Sequence, residues 1–213
     1  MAISTIGTNS LSDPIAVNGY TPTASNMQPF NRIINGAMTI DQRNAGASVT
    51  PASNGYNTVD RFAYFASQAS KITIGQNLDS VTPPAGFRNY LGLKVAATAT
   101  VGASDYFIVG QPIEGYNVAD FNFGLATAAT VTLSFWVRSS VTGTFGGYLK
   151  NGSSNRSYPF TYAISSANTW EQKTITVAGD TTGTWNTTNG QGLLLYFGLG
   201  VGSSFSFTPN IWG

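Results

Sequence analysis

Residues 130–138 read Thr-Val-Thr-Leu-Ser-Phe-Trp-Val-Arg, placing Val131, Leu133, Phe135 and Val137 on one face and Thr130, Thr132, Ser134, Trp136 and Arg138 on the other. A period of two in β-branched and aromatic residues marks a strand with one face toward a core and the other toward water or a second layer. No other segment alternates so cleanly, and Thr-, Gly- and Asn-rich turns flank it on both sides. The stretch therefore predicts an all-β chain, an antiparallel sandwich closing around this strand.

Working outward, shorter alternating or apolar runs predict strands over residues 59–65, 71–76, 90–100, 106–111, 143–150, 158–164, 170–177 and 193–199. Residues 31–43 read as the first strand pair, folded about a tight Asn35-Gly36 turn, and residues 44–57 as a long polar loop. Residues 81–89, with Pro83-Pro84, read as a turn, and 121–129 as loop or a short helical turn. The total is about ten strands with no helix, a jelly-roll count. Gly198, Gly200 and Gly202 alternate through the last apolar strand, which predicts close backbone packing there. Residues 31–213 form one expected domain, and the ending Asn210-Ile211-Trp212-Gly213 falls inside what reads as a further element, so the domain is expected to continue. Residues 1–30, rich in Ser, Thr, Asn, Gly and Pro, carry isolated Ile3, Ile6, Leu11, Ile15 and Val17 and read as an extended anchoring arm.

Composition limits the chemistry. Of 213 residues only 9% are charged against 13% aromatic and 42% hydrophobic, far below the roughly 25% charged that globular domains carry. Thr, Ser, Asn and Gly must supply the polar surface. The net charge is +1, and six arginines and four lysines are scattered without a run, so no electrostatic groove for nucleic acid is expected. No apolar run approaches the roughly twenty residues of a membrane-spanning helix, and no membrane insertion is expected. With no Cys and no His, thiol and imidazole catalysis and Cys/His metal sites drop out, leaving carboxylates as the acid/base groups. Two glutamates, Glu114 and Glu171, and seven dispersed aspartates show neither a glycosidase signature nor an Asp-x-Asp-x-Asp calcium loop. No cofactor, metal or catalytic residue is assigned, and an enzyme is not expected.

Aromatic rings are the better candidates for function, because sugar faces stack on flat rings while amides and hydroxyls bond the sugar oxygens. Trp185 lies within residues 181–190, Thr-Thr-Gly-Thr-Trp-Asn-Thr-Thr-Asn-Gly, with no apolar neighbour, and is the leading ligand-binding candidate. Tyr148, Asn151, Arg156 and Tyr158 flank a second polar loop and form a weaker ligand-binding group. Trp136, on the alternate face of its strand, reads first as structural, with interface or sugar platform as the other readings. Arg43, Asp60 and Arg61 sit among apolar residues in a charge-poor chain and read as an internal salt bridge fixing strand order, ahead of an anion-binding fork.

Three local patterns resemble a known group. Residues 31–43 (Asn-Arg-Ile-Ile-Asn-Gly-Ala-Met-Thr-Ile-Asp-Gln-Arg), 59–62 (Val-Asp-Arg-Phe), and 110–115 (Gly-Gln-Pro-Ile-Glu-Gly) with 133–138 (Leu-Ser-Phe-Trp-Val-Arg) look like the module of bacteriophage tail-fibre and appendage proteins, especially of marine and cyanobacterial phages. The second half is also similar to galactose-binding-like jelly-roll carbohydrate-binding modules, in which the counterpart of Trp170 is usually buried. The resemblance implies a virion structural protein, typically a homotrimer, anchored to other virion proteins by its N-terminal arm and presenting its sandwich to host-surface polysaccharide. The alternatives are an architectural capsid or neck decoration and, further off, a polysaccharide depolymerase.

Overall fold

The computed structural model describes residues 31–213, and the arm expected over residues 1–30 lies outside the described residues. The described chain is all-β, with every sheet antiparallel, compatible with a β-sandwich. Its strands are β1 (Ala63–Ala66), β2 (Ile72–Gln76), β3 (Leu91–Val95), β4 (Tyr106–Glu114), β5 (Val131–Val137), β6 (Gly143–Asn151), β7 (Ser157–Ile164), β8 (Glu171–Val177) and β9 (Gln191–Val201). Five form one sheet in the order β1-β4-β9-β6-β7, while β2-β3 and β5-β8 are separate two-stranded ribbons.

Alternation explains how the ribbons lie on the sheet. Successive side chains of a strand point to opposite faces, so Leu193, Leu195 and Phe197 of β9 share a face with Leu149 of β6 and with Tyr158, Phe160, Tyr162 and Ile164 of β7. Against that face pack Val131, Leu133, Phe135 and Val137 of β5 and Ile175 and Val177 of β8, forming the main core. The β2-β3 ribbon closes a smaller core, placing Ile72, Ile74, Leu91 and Leu93 against Tyr64 and Phe107. The indole N–H of Trp170 joins the two ribbons by donating to the Thr82 carbonyl at 2.8 Å, and its ring meets Tyr90 edge-on at 5.5 Å. On the reverse side of the sheet Ile108, Leu194 and Tyr196 cluster with Phe65, Tyr106 and Tyr148.

Several expectations need correction. Strand β5 is not the centre of the fold: it pairs only with β8, and Thr132, Ser134 and Trp136 stand exposed. The middle strand is β9, paired with β4 on one side and β6 on the other, and its run from Gly192 to Tyr196 is continuously buried. Residues 31–43 contain no strand pair; they form turns. Asn35 has a left-handed backbone (φ 57°), and its side chain accepts from Ile40 N at 3.0 Å and donates to the carbonyls of Ile40 and Asp60. A side chain that satisfies the backbone in this way competes with a sheet ladder. The loop over 44–57 also has a role in the sheets: Val49 exchanges hydrogen bonds with Ile74 of β2, and Gly55 with Tyr64 of β1.

Strand β4 runs past Pro112 to Glu114, beyond the expected end. Its neighbour β1 stops at the Ala63–Gly110 pair, so Pro112 lies where β4 has a partner on one side only, a position that tolerates a missing N–H. Of the three alternating glycines, only Gly202 is tightly enclosed: a Cβ there would lie 2.1 Å from the Gly102 carbonyl oxygen. The terminal segment pairs with the outer edge of β7, Gly213 and Ser157 exchanging backbone hydrogen bonds at 2.8 and 2.9 Å and Asn210 N donating to the Pro159 carbonyl at 2.7 Å.

Candidate functional site

The β6-β7 turn and the loop after β8 meet through one buried amide. Asn151 is fully buried; its Nδ2 donates to Asn155 Oδ1 at 2.6 Å and to the Thr184 carbonyl at 3.0 Å. Its Oδ1 accepts from the backbone N–H groups of Asn155 and Arg156. That leaves Arg156 aimed at Asp180, to which it donates from Nε and Nη2 at 2.8 and 2.9 Å in a two-pronged ion pair. Asp180 also accepts from the backbone N–H and hydroxyl of Thr182. Burial pushes the Asp180 carboxyl up, but the hydrogen bonds from Arg156 and Thr182 outweigh it and hold the group below the ordinary aspartate range. The same bonds to Asp180 raise the Arg156 guanidinium further, against the effect of burial.

Trp185 packs on this assembly. Its ring stands edge-on to Phe123 at 4.9 Å and to Trp212 at 5.3 Å, and its N–H donates to the Thr182 carbonyl at 3.2 Å. Trp212 in turn lies 5.2 Å from Tyr158 and donates to the Ala178 carbonyl at 2.7 Å. Trp185, read from the sequence as an aromatic with no apolar neighbour, thus has several: the ring is half-buried and packs against the main core. Its neighbours come from residues 123 and 212, far off in sequence.

Of the weaker group, Asn151, Arg156 and Tyr158 join this assembly, and Tyr158 is buried. Tyr148 does not. It points to the reverse face of the sheet, 5.6 Å from Tyr196 and with Lys150 Nζ 5.8 Å from its ring centre. Burial, and secondarily the neighbouring Tyr106, pushes its hydroxyl up to about 12.

The expected salt bridge of Arg43, Asp60 and Arg61 is also corrected. Among the described residues none of the three enters an ion pair. Arg43 lies over the Tyr56 ring at 5.6 Å, Asp60 accepts from Gln42 N at 3.3 Å, and Arg61 is exposed with φ 73°. Among the described ion pairs the most deeply buried carboxylate is that of Asp180, paired with Arg156.

Two features escaped the sequence reading. Gln111, 1% exposed, clamps the backbone of Ile34 by accepting from its N–H and donating to its carbonyl, both at 2.8 Å. Together with Asn35 bonding to Ile40 and Asp60, this ties residues 31–43, 59–62 and 110–115 into one joint. The second is the pairing of β5 with β8, which completes the outward face that the alternation of β5 already marks. There the register pairs Thr132 with Thr176, Ser134 with Thr174 and Trp136 with Gln172, all six exposed. Lys173 and Glu171 lie on the inner side and pair with each other at 2.6 Å. Glu171 also accepts from Ser165 N and Ser166 N; the bond from Lys173 contributes most to holding its carboxyl below the usual range.

A cleft of about 210 Å³ lies between residues 51–54 and 66–69, lined in part by Asn54, Ser67 and Gln68. Those side chains are already bonded to Ala66 N, to Asp105 and to the Thr100 carbonyl, while the buried hydroxyl of Tyr64, also in the lining, has no hydrogen-bond partner. Among the described residues, no three acidic side chains gather as a metal set. No described helix is long and apolar enough to cross a membrane. No family model, no curated protein and no solved structure matches the chain.

Proposed function

We propose that this chain is a virion structural protein, a subunit of a bacteriophage tail fibre or appendage, whose jelly-roll sandwich faces outward and attaches to host-surface glycan without cleaving it. The observation that supports the reading is the joint built by Gln111 and Asn35. Two buried or half-buried amides hold together residues 31–43, 59–62 and 110–115, segments whose sequence resembles the phage module. The ligand side rests on a surface polar through hydroxyls and amides, in a chain with 9% charged residues. In this reading residues 1–30 anchor the chain to other virion proteins, the protein is a homotrimer, and several shallow sites per trimer supply binding through effective concentration.

Non-catalytic attachment also accords with the state of Glu171, whose oxygens are taken by Lys173, Ser165 and Ser166, a poor arrangement for one half of a carboxylate pair. The second reading is an architectural capsid or neck protein. It is favoured by the internal packing of Trp185, Tyr158, Asn151 and Arg156, none of which stands free at a surface.

A cryo-EM map of assembled particles separates the two. Trimers projecting outward with the sandwich distal support attachment. Chains lying flat on capsid or collar, with the β5-β8 ribbon in protein contacts, overturn it in favour of architecture. Release of reducing ends from a polysaccharide incubated with the chain would overturn the non-enzymatic assignment.

A further inference from the structure

Resting on the attachment reading, we propose that the outer face of the β5-β8 ribbon is the glycan-binding surface and that its ligand is a neutral hexopyranose polysaccharide stacked on Trp136.

The chain has four tryptophans, and three are committed internally: Trp170, Trp185 and Trp212 each donate their N–H to a backbone carbonyl. Among the described residues, nothing accepts from the Trp136 N–H. Trp136 is also 37% exposed, on a strand whose opposite face is core. A large ring held at the surface of a regular ribbon, with a free donor, is a platform that other groups can complete.

The neighbouring outward side chains supply those groups. Gln172 stands directly across from Trp136, followed by the Ser134–Thr174 and Thr132–Thr176 pairs. An amide and four hydroxyls both donate and accept, matching sugar hydroxyls that do the same. The indole face covers the apolar C–H side of a pyranose ring. From Thr132 to Trp136 the rows extend about 13 Å at roughly 3.3 Å per residue, which suits a chain of sugars rather than a single ring.

Charge selects the ligand class. None of the six outward side chains is ionised; Arg138, just beyond the end of β5 on the same side, donates its Nε to the Asn168 carbonyl at 3.0 Å, and the ribbon's Lys173 and Glu171 are paired on the inner side. A carboxylated or sulfated sugar laid along the Thr132–Thr176 and Ser134–Thr174 pairs would lose water without meeting a counter-charge, whereas a neutral one exchanges hydroxyl for hydroxyl.

The test is affinity electrophoresis of the full chain through native gels containing a neutral glucan, a neutral galactan, a neutral mannan or the acidic polymer alginate. Retardation by at least one neutral polymer is expected, weakened about tenfold in Trp136→Ala and partly kept in Trp136→Phe, with an unchanged far-ultraviolet circular-dichroism spectrum showing that each variant is folded. Equal retardation of wild type and Trp136→Ala overturns this face as the site and leaves glycan attachment standing. Retardation by alginate alone overturns the neutral ligand and again leaves attachment standing. No retardation by any polymer overturns both.

Discussion

Asp180 holds the loop assembly together. It is 2% exposed and accepts from two prongs of Arg156 and from Thr182. Removing the arginine strands a buried carboxylate, so Arg156→Met is expected to cost about 3 kcal/mol, measured by urea unfolding at neutral pH. The sign of the pH effect follows from the lowered Asp180 carboxyl. A carboxylate whose folded value lies below its unfolded one, about 3.9, stabilises the fold above that value, and the contribution is lost as pH falls through the folded value. The stability gap between wild type and Asp180→Asn should therefore be largest near neutrality and narrow as the pH falls below the ordinary aspartate value of about 3.9. A gap that stays constant as the pH falls through the acid range would show that the pair contributes no charge-dependent stability. Residues of this kind are only half legible in sequence. Arg156 and Asn151 read as polar residues beside a turn, which they are, but the acid that fixes Arg156 lies 24 residues away, and nothing local signals it.

At the level of elements, the clearest sequence signal identified the right secondary structure and the wrong centre. Clean alternation requires one wet face, so β5 reads unambiguously because it is peripheral. The middle strand, β9, is buried on both faces and reads as an unbroken apolar run. Such a run does not by itself declare strand over helix. Strands β2, β6, β7 and β8 fall within a residue or so of the periodicity reading, whereas the 31–43 segment misled because its apolar residues serve turns held by Asn35. Contact between β4 and β9 also depends on a feature with no side chain to read. A Cβ on Gly110 would lie 1.9 Å from the Leu195 carbonyl oxygen. Gly110→Ala must push β4 from β9 in the middle of the sheet, with an expected loss of about 3 kcal/mol or more. A thermal melt reads it, and an unchanged melt would show that the two strands sit less closely than described. Trp212→Ala removes the ring shared by Tyr158, Phe123 and Trp185 and should cost about 3 kcal/mol, with a change in the emission of Trp185 as its edge is uncovered.

For the molecule as a whole, sparse charge is the property with the widest consequences. Of the described ion pairs, Arg32–Asp120 and Lys94–Asp79 are substantially exposed, and only Arg156–Asp180 has a carboxylate as buried as 2%. Exposed pairs contribute about 0–1 kcal/mol each and are screened by salt, while a buried one is screened far less. A net charge of +1 adds no self-repulsion for salt to relieve. Raising sodium chloride from about 0.05 M to about 1 M, which shortens the screening length from beyond 10 Å to about 3 Å, should therefore shift the unfolding temperature by only about 2–4 °C. The same logic extends to function. A protein that adheres through basic patches loses its ligand as counter-ions compete, but stacking on Trp136 and exchange of hydroxyl hydrogen bonds involve no ions. Retardation by the neutral polysaccharide should change by less than about twofold over that salt range. A steep fall with salt would mean that lysines and arginines outside the β5-β8 ribbon carry the binding, and would move the contact surface off this face even if Trp136→Ala weakens it.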